Sequence, residues 1–407
     1  MGIFKEIPPT AGFLVYPKEI FSLFKINNPP GLLEDDFKNY LGIPYAAVTY
    51  SGTAALYLIL ECMKEVSHKR SVIIPAFVCP LVPLAITRAG FKVKVCDTQR
   101  DNFNFDLEKL QRICLDDEDI LAIIAVHLAG IPIDIDLIKQ ISASKKIFII
   151  EDCAQSLGAE YKGKKVGTLG EFAFFSLCRG KGLTIYEGGL IVTSKKEFAA
   201  RIDATINRLV KNNFISEGLK ILELIGYWIF YRPRLFWFVF RLPQIFWNLQ
   251  RNNLKAVGEY YTFGFSIHKV SALRKSVGHS AFGRLEHEIG EQRKKALYYQ
   301  EVLSQIKGIR PVKESPDSKA TYPFLTLIYS DINKCRQARD SLSNLGLGAS
   351  MVYASVVTDY DYLKETVGET DCPNARRLAE NTITLSTSTF IKKRDIDAVL
   401  AKIKSLS

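Results

Sequence analysis

Three residues between positions 148 and 192 have side chains suited to cofactor chemistry. Asp152 ends one apolar run, Ser176 ends a second, and Lys181 lies between two glycines five residues later. A carboxylate, a hydroxyl and a lysine at the ends of buried strands indicate a ligand site, since ligands bind beyond the carboxyl ends of strands in α/β sheets. Each residue also has a plainer interpretation: Asp152 as a helix cap, Ser176 as a strand end and Lys181 as a solvated loop lysine.

An upstream turn has the composition of a phosphate site. Residues 45–49 predict a strand, Ser-Gly-Thr at 51–53 predicts a tight turn, and residues 54–63 predict a helix. The free N–H groups of Gly52 and Thr53 would then lie at the positive end of a helix, where anions bind. The same tripeptide is an ordinary helix N-cap, so the turn alone leaves both interpretations open.

Short apolar strands alternate with helices through the first part of the chain. This order predicts a mostly parallel sheet covered by helices. The predicted strands are 72–74, 92–96, 120–127, 147–152 and 172–177, and the predicted helices are 81–89, 107–114 and 135–142.

A chain of 407 residues is long enough for a second, smaller domain. Its later part predicts an α+β layer. The predicted strands there are 322–329, 349–353 and 382–385, and the predicted helices are 285–303, 332–345, 376–380 and 396–403. We expect a large domain at 1–265, including an apolar insertion at 212–260, and a small domain at 266–407.

Five motifs in order resemble the DegT/DnrJ/EryC1/StrS family. They are Ser51-Gly-Thr-Ala-Ala-Leu, His127-x-x-Gly130 with Asp134, Glu151-Asp-Cys-Ala-Gln155-Ser-x-Gly158, Phe175-Ser176-(x4)-Lys181 and Glu187-Gly-Gly. The resemblance runs from Gly31 to about Leu400. It implies a fold type I pyridoxal-phosphate (PLP) transferase with a seven-stranded type of sheet. It also implies a homodimer with the active site at the subunit interface.

The resemblance assigns roles to the candidate residues. Lys181 would hold PLP as a Schiff base and move a proton between substrate and cofactor. Asp152 would keep the pyridine nitrogen protonated. The remaining expected contacts are to the phosphate from Gly52, Thr53 and Ser176 and to the 3′ oxygen from Gln155. Some family members have histidine at the lysine position and remove a hydroxyl, so Lys181 favours transamination.

Two positions depart from the family pattern. Cys79 stands where the family usually has an aromatic residue stacked on the cofactor ring, so either Phe77 or the Cys79 thiol would cover the ring. The family's Asn-Tyr-Arg tripeptide, which reaches the partner subunit's cofactor phosphate, has no direct match. His268 is the nearest equivalent.

Residues 219–250 are rich in apolar residues and contain all three tryptophans. The longest uncharged runs, 224–231 and 242–250, have eight and nine residues, whereas a membrane-spanning helix needs about twenty. We interpret the stretch as two short segments, broken at 232–234 and 241–243, that dip into the headgroup region of an anionic membrane. The alternative is an insertion buried against the fold or in the dimer interface.

Charge and cysteine content exclude other classes. The net charge is +11, and residues 201–300 have 16 Lys and Arg against 7 Asp and Glu. This basic excess is interleaved with apolar residues, which argues against nucleic-acid binding. Eight scattered cysteines without a CxxC pair predict reduced thiols and no metal site. No signal peptide is predicted, so we expect a cytoplasmic protein, peripheral on the cytoplasmic membrane face if the insertion binds lipid.

The expected function is a PLP-dependent aminotransferase that passes an amino group, with glutamate as the expected donor, to a keto sugar. The sugar would be linked to a nucleotide or, if the insertion touches membrane, to a lipid. Two alternatives stay open: another PLP reaction, such as dehydration or carbon–carbon bond formation on a lipid precursor, and a membrane-bound scaffold without turnover. The joint presence of Lys181, Asp152, Gln155 and Ser176 argues against the scaffold.

Overall fold

A seven-stranded sheet forms the centre of the computed structural model, which describes residues 4–24, 31–250, 259, 261 and 264–406. Its strands are β1 (Tyr45–Thr49), β2 (Ser71–Pro75), β3 (Lys92–Cys96), β4 (Ile120–Val126), β5 (Phe148–Asp152), β8 (Phe172–Ser176) and β9 (Gly189–Thr193). The order across the sheet is β1-β9-β8-β5-β4-β2-β3. Strand β9 is antiparallel to both neighbours and the other pairs are parallel, so the predicted sheet is confirmed.

Helices cover the faces of the sheet, because apolar residues at helical spacing give each helix a face that packs on it. They are α1 (Pro17–Phe21), α2 (Leu32–Leu41), α3 (Gly52–Met63), α4 (Leu81–Arg88), α5 (Leu107–Asp116), α6 (Ile135–Ala143) and α7 (Lys196–Leu209). Strands β2, β4, β8 and β9 are buried along their whole length, as expected of a sheet covered on both faces. A second, short sheet joins β6 (Glu160–Tyr161) to β7 (Lys164–Lys165) and to β11 (Ser318–Lys319).

The C-terminal part has an antiparallel sheet of its own. Strand β12 (Phe324–Tyr329) lies between β10 (Ile309–Pro311) and β13 (Thr382–Ser386). The helices in this part of the chain are α11 (Ala272–Phe282), α12 (Leu285–Leu303), α13 (Ile332–Ser343), α14 (Lys364–Val367), α15 (Pro373–Asn381) and α16 (Lys393–Lys404). The predicted boundary after residue 265 stays a prediction.

The strand predicted at 349–353 is wrong. The chain there makes only an isolated bridge between Ser350 and Thr384. It follows two glycines in the left-handed region, Gly346 and Gly348, and continues toward the main sheet, where the Tyr353 side chain contacts Gln155. The residues are apolar because their side chains pack inward from a loop, and this composition resembles that of a strand.

The insertion is helical. It consists of α8 (Phe214–Phe230), α9 (Pro233–Phe236), a π-helical turn (Trp237–Arg241) and α10 (Leu242–Leu249). The predicted break at 232–234 is confirmed, but the one at 241–243 is wrong, because Pro243 lies inside α10. Proline lacks an N–H group and crowds the preceding turn, and a widened π turn accommodates both effects. None of the helices within the described ranges is both long and apolar enough to span a bilayer.

One face of α8 is anchored to the rest of the fold. Leu224, Tyr227 and Tyr231 pack with Leu14 of the N-terminal segment and Val277 of α11. The opposite side is exposed, beginning with the apolar residues at the start of α8. The inner face of the insertion is therefore buried against the fold, as one interpretation predicts, and an outer apolar face is exposed. Contact of this outer face with a membrane stays a prediction.

Candidate active site

Two glycines let the start of α3 approach the ends of β8 and β9. A Cβ atom added at Gly52 would lie 3.4 Å from Cβ of Ser176. One added at Gly189 would lie 2.3 Å from the carbonyl carbon and oxygen of Ser51 and 2.6 Å from the nitrogen of Gly52. The Ser51 hydroxyl caps the helix by accepting a hydrogen bond from the N–H of Ala54 at 3.1 Å. The structure thus brings together the residues predicted to bind phosphate.

Asp152 is a buried carboxylate at the end of β5. Its side chain accepts a hydrogen bond from the N–H of Ala154 at 2.9 Å. Burial raises the pKa of Asp152 to about 6, and the charges of Lys181 and His127 oppose this rise. A buried carboxylate stays ionised when a cation lies beside it, and a protonated pyridine nitrogen would supply one.

Lys181 lies in the loop between β8 and β9, held by backbone contacts. Its N–H donates to the carbonyl of Cys178 at 3.2 Å, and its carbonyl accepts from the N–H of Phe13 at 3.0 Å. The preceding Gly180 has a left-handed φ of 76°. A Cβ atom added at Gly12 would lie 2.7 Å from the Cα of Gly180. The N-terminal segment therefore packs directly on the lysine loop.

Gln155 links the main sheet to Tyr353. Its side-chain oxygen accepts a hydrogen bond from the N–H of Ala129 at 2.9 Å, and its amide group donates to the Tyr353 hydroxyl at 3.2 Å. Burial holds the pKa of Tyr353 well above its usual range, with the Asp152 charge adding to the effect. The hydroxyl therefore keeps its proton near neutral pH. Sequence alone could not separate a site role for Tyr353 from core packing.

The two candidates for the ring-covering residue have different surroundings. The Phe77 ring is 2% exposed and packs edge-on against Tyr353 at 5.6 Å between centroids. Burial raises the pKa of the Cys79 thiol to about 12, and the nearby charge of Lys181 partly lowers it. Which of the two side chains would cover the cofactor ring stays a prediction.

His127 and Glu151 belong to the sequence motifs, but the sequence does not indicate what their side chains do. The Glu151 carboxylate accepts hydrogen bonds from the N–H groups of Gly167, Leu169 and Gly170, each at 2.7 Å. His127 Nδ1 accepts from a backbone N–H, so Nε2 carries the proton and donates to Glu151 at 3.0 Å.

The backbone N–H of His127 donates to the backbone carbonyl of Asp152 at 3.0 Å. This network positions Asp152. With Cys153, these two side chains lie close enough to hold a metal ion, but Glu151 is already engaged by four donors.

His268 lies apart from these contacts. Its ring packs on Tyr50 at 4.1 Å between centroids, and its Nε2 lies 3.5 Å from a carboxylate oxygen of Glu217. Burial lowers the pKa of His268. Tyr50 directly precedes the Ser51 cap of α3, so His268 lies near the turn predicted to bind phosphate. Its predicted contact with the cofactor of a partner subunit stays a prediction.

The model of the DegT/DnrJ/EryC1/StrS aminotransferase family matches residues 31–404. The chain belongs to this family. The predicted family and the fold type I architecture are thereby confirmed, and with them PLP as the cofactor of the family. The residues described above fit that cofactor: an N-terminal helix turn for its phosphate, a buried carboxylate for its nitrogen and a lysine whose charge acts on that carboxylate.

Individual relatives share parts of the chain. A GDP-perosamine synthase of Caulobacter vibrioides is 34% identical over 169 residues, 42% of this chain and 45% of that protein. A GDP-4-keto-6-deoxy-D-mannose 3-dehydratase of Yersinia pseudotuberculosis is 33% identical over 181 residues, 43% of this chain and 46% of that protein. The matched region thus spans about half the length of these relatives.

A solved family structure matches the fold over almost the whole chain. The sugar aminotransferase CalS13 of Micromonospora echinospora superposes with a TM-score of 0.75 at 19% identity, covering 98% of this chain and 99% of that one. At this identity the match shows the fold.

Proposed function

We propose that this family member is a PLP-dependent aminotransferase that passes an amino group, with glutamate as the donor, to a keto sugar. The arrangement of Lys181 beside the buried Asp152, next to the α3 turn, carries the proposal. Matched relatives include both a GDP-perosamine synthase and a sugar 3-dehydratase. Lysine at position 181 supports amino transfer, because a primary amine can both hold the cofactor covalently and move a proton between substrate and cofactor.

Bound PLP supplies an electron sink and carries the amino group between the two substrates. Lys181 would hold it covalently, and the lysine amine would take a proton from the substrate carbon. Asp152, positioned beside His127 and Glu151, would keep the ring nitrogen protonated. The N–H groups at the start of α3 and the Ser176 hydroxyl would bind its phosphate.

Addition of glutamate to the holoenzyme tests this proposal. We expect the visible absorbance of lysine-bound cofactor to fall and the absorbance of the pyridoxamine form to rise. Subsequent addition of a keto sugar linked to a nucleotide or to a lipid diphosphate should restore the first spectrum. A protein that binds PLP but answers neither glutamate nor another amino donor is not a transaminase, and release of water from the sugar would instead identify a dehydratase.

We also propose that the protein acts as a homodimer and that the outer face of the insertion contacts an anionic membrane surface. Exposed apolar residues along this face support the contact, among them Phe238 at 48%, Phe246 at 53% and Leu249 at 80% exposure. Exposed arginines at 232 and 234 lie beside them. Apolar side chains flanked by arginine suit the headgroup region of anionic lipid.

Sedimentation with lipid vesicles tests the membrane contact. The wild type should sediment with vesicles of phosphatidylcholine and phosphatidylglycerol, and less with phosphatidylcholine alone. Phe246→Ser should reduce binding to the mixed vesicles. Leu115→Ser is the matched control, because Leu115 is 57% exposed on α5, outside the insertion. Equal binding by both variants, or a dimer that buries Phe246, would refute the contact.

A further inference from the structure

A cavity of about 540 Å³ lies between the insertion and the loop that holds Lys181. Arg179, Gly180 and Tyr186 of that loop line one side. The insertion lines the other with α8 and the segment that follows it. This volume falls within the range of roughly 300–1,000 Å³ that is typical of small-molecule sites. The cavity is therefore large enough to bind a ligand and borders the loop that carries Lys181.

The insertion side of the cavity is apolar and ordered by ring stacking. Tyr227 stacks on Tyr231 at 4.4 Å between centroids, and Phe236 stacks on Phe240 at 4.8 Å. The hydroxyl of Tyr231 also donates to the carbonyl of Thr10 at 3.2 Å, so this wall is joined to the N-terminal segment. This wall can therefore contact the apolar chain of a ligand and has few polar groups for hydrogen bonds.

Gly226 leaves part of the cavity empty. It lies in α8 among the lining residues, and a Cβ atom added there would meet nothing within 4 Å. The lining residue Val239 is 49% exposed and belongs to the apolar outer face. The cavity therefore opens onto the surface proposed to contact membrane, so a chain could pass from one to the other without crossing water.

A cation lies at the end of the cavity nearest Lys181. Arg179 is exposed, two residues before Lys181, and its guanidinium lies 5.7 Å from the Tyr186 ring. No acidic side chain in the described ranges forms a salt bridge with it, whereas Glu223 across the cavity is paired with Lys220 at 2.7 Å. An unpaired guanidinium suits a phosphate or diphosphate group.

We propose that this cavity binds the apolar chain of a lipid carrier whose diphosphate pairs with Arg179 and whose keto sugar reaches Lys181. The inference rests on the proposed transaminase function and names its substrate class: a keto sugar on a prenyl-type diphosphate. The chain lies between α8 and residues 236–240, and the diphosphate lies at the loop. Charge and polarity therefore change along the cavity as they do along such a substrate.

Calorimetric binding of farnesyl diphosphate to the holoenzyme tests the subsite. We expect Gly226→Phe to weaken binding at least tenfold, because the new ring fills the space of the chain. Gly218→Phe is the matched control: it adds the same ring to the same helix, where a Cβ also meets nothing within 4 Å, but Gly218 does not line the cavity. Arg179→Gln should weaken both farnesyl diphosphate and inorganic diphosphate.

Equal affinities for the two phenylalanine variants would overturn the proposal. The proposal would also be overturned if UDP bound tightly and Gly226→Phe weakened its binding as much as that of farnesyl diphosphate, because the cavity would then accept a nucleotide. If Gly226→Phe does not fold, binding of farnesyl diphosphate is measured instead with Val239→Asp, which changes an exposed residue of the cavity wall. The glutamate response of the wild type is measured separately, so failure of the transaminase function and failure of the subsite give different results.

Discussion

Gly189→Ala should weaken cofactor binding by displacing the start of α3. The added methyl group would lie 2.3 Å from the backbone of Ser51 and 2.6 Å from the nitrogen of Gly52. Since these are backbone atoms, the helix turn itself must shift. Such overpacking costs about 1–3 kcal/mol. A charged hydrogen bond lost to phosphate is worth about 1.5–3 kcal/mol. With about 1.4 kcal/mol per tenfold, we expect the Kd for PLP to rise roughly 10- to 100-fold.

Fluorescence titration of the cofactor-free protein with PLP measures this change. Gly290→Ala is the matched control, because a Cβ at Gly290 in α12 would meet nothing within 4 Å. The control should keep its affinity and gain about 0.5–1 kcal/mol of stability, the usual effect of replacing a helical glycine. Wild-type affinity in Gly189→Ala would show that the close approach of β9 does not shape the phosphate site.

Two further substitutions probe the carboxylate and the anchor of the insertion. Asp152→Asn should slow the glutamate half-reaction about a hundredfold or more, because the amide cannot hold the ring proton. Burial raises the pKa of Asp152 from 3.8 to about 6. In cofactor-free protein its contribution to stability is therefore present below pH about 4 and is lost as the pH rises through about 6. Between pH about 4 and about 6, the free energy of unfolding in urea should fall by roughly 3 kcal/mol more in the wild type than in Asp152→Asn. Parallel pH profiles of the two proteins would contradict this. Arg274→Leu should cost about 3–5 kcal/mol, because it leaves Glu217 of α8 buried without its salt bridge. Lys294→Ala, which breaks the exposed pair with Glu291, should cost under about 1 kcal/mol, and equal losses for both would refute the anchoring role.

The sequence predicted the main sheet well because its strands are continuous apolar runs between helices. Strand β3 and helix α12 have the predicted bounds, and β5 ends at Asp152 as expected. The run at 349–353 was predicted wrongly because local composition cannot distinguish a strand from a loop whose side chains enter a site. Pro243 was read as a break because the π-helical turn that accommodates it leaves no local signal.

The site was predictable where short motifs determine it, and obscure where distant segments meet. Gly52 follows from a strand–turn–helix pattern, and Asp152 and Ser176 follow from the ends of apolar strands. The cavity beside the loop of Lys181 depends on contacts such as that of Tyr231 with Thr10, which are more than two hundred residues apart in sequence. Such contacts have no local periodicity, so the insertion could be recognised by its composition but not placed beside the lysine loop.

Borohydride reduction of the holoenzyme, followed by mass spectrometry of its peptides, tests the central claim most directly. Reduction fixes the cofactor to whichever lysine holds it. We predict a phosphopyridoxyl group on Lys181 and on no other lysine, with loss of the label in Lys181→Ala. A label on another lysine, or an unlabelled wild type that still transfers amino groups, would contradict the account.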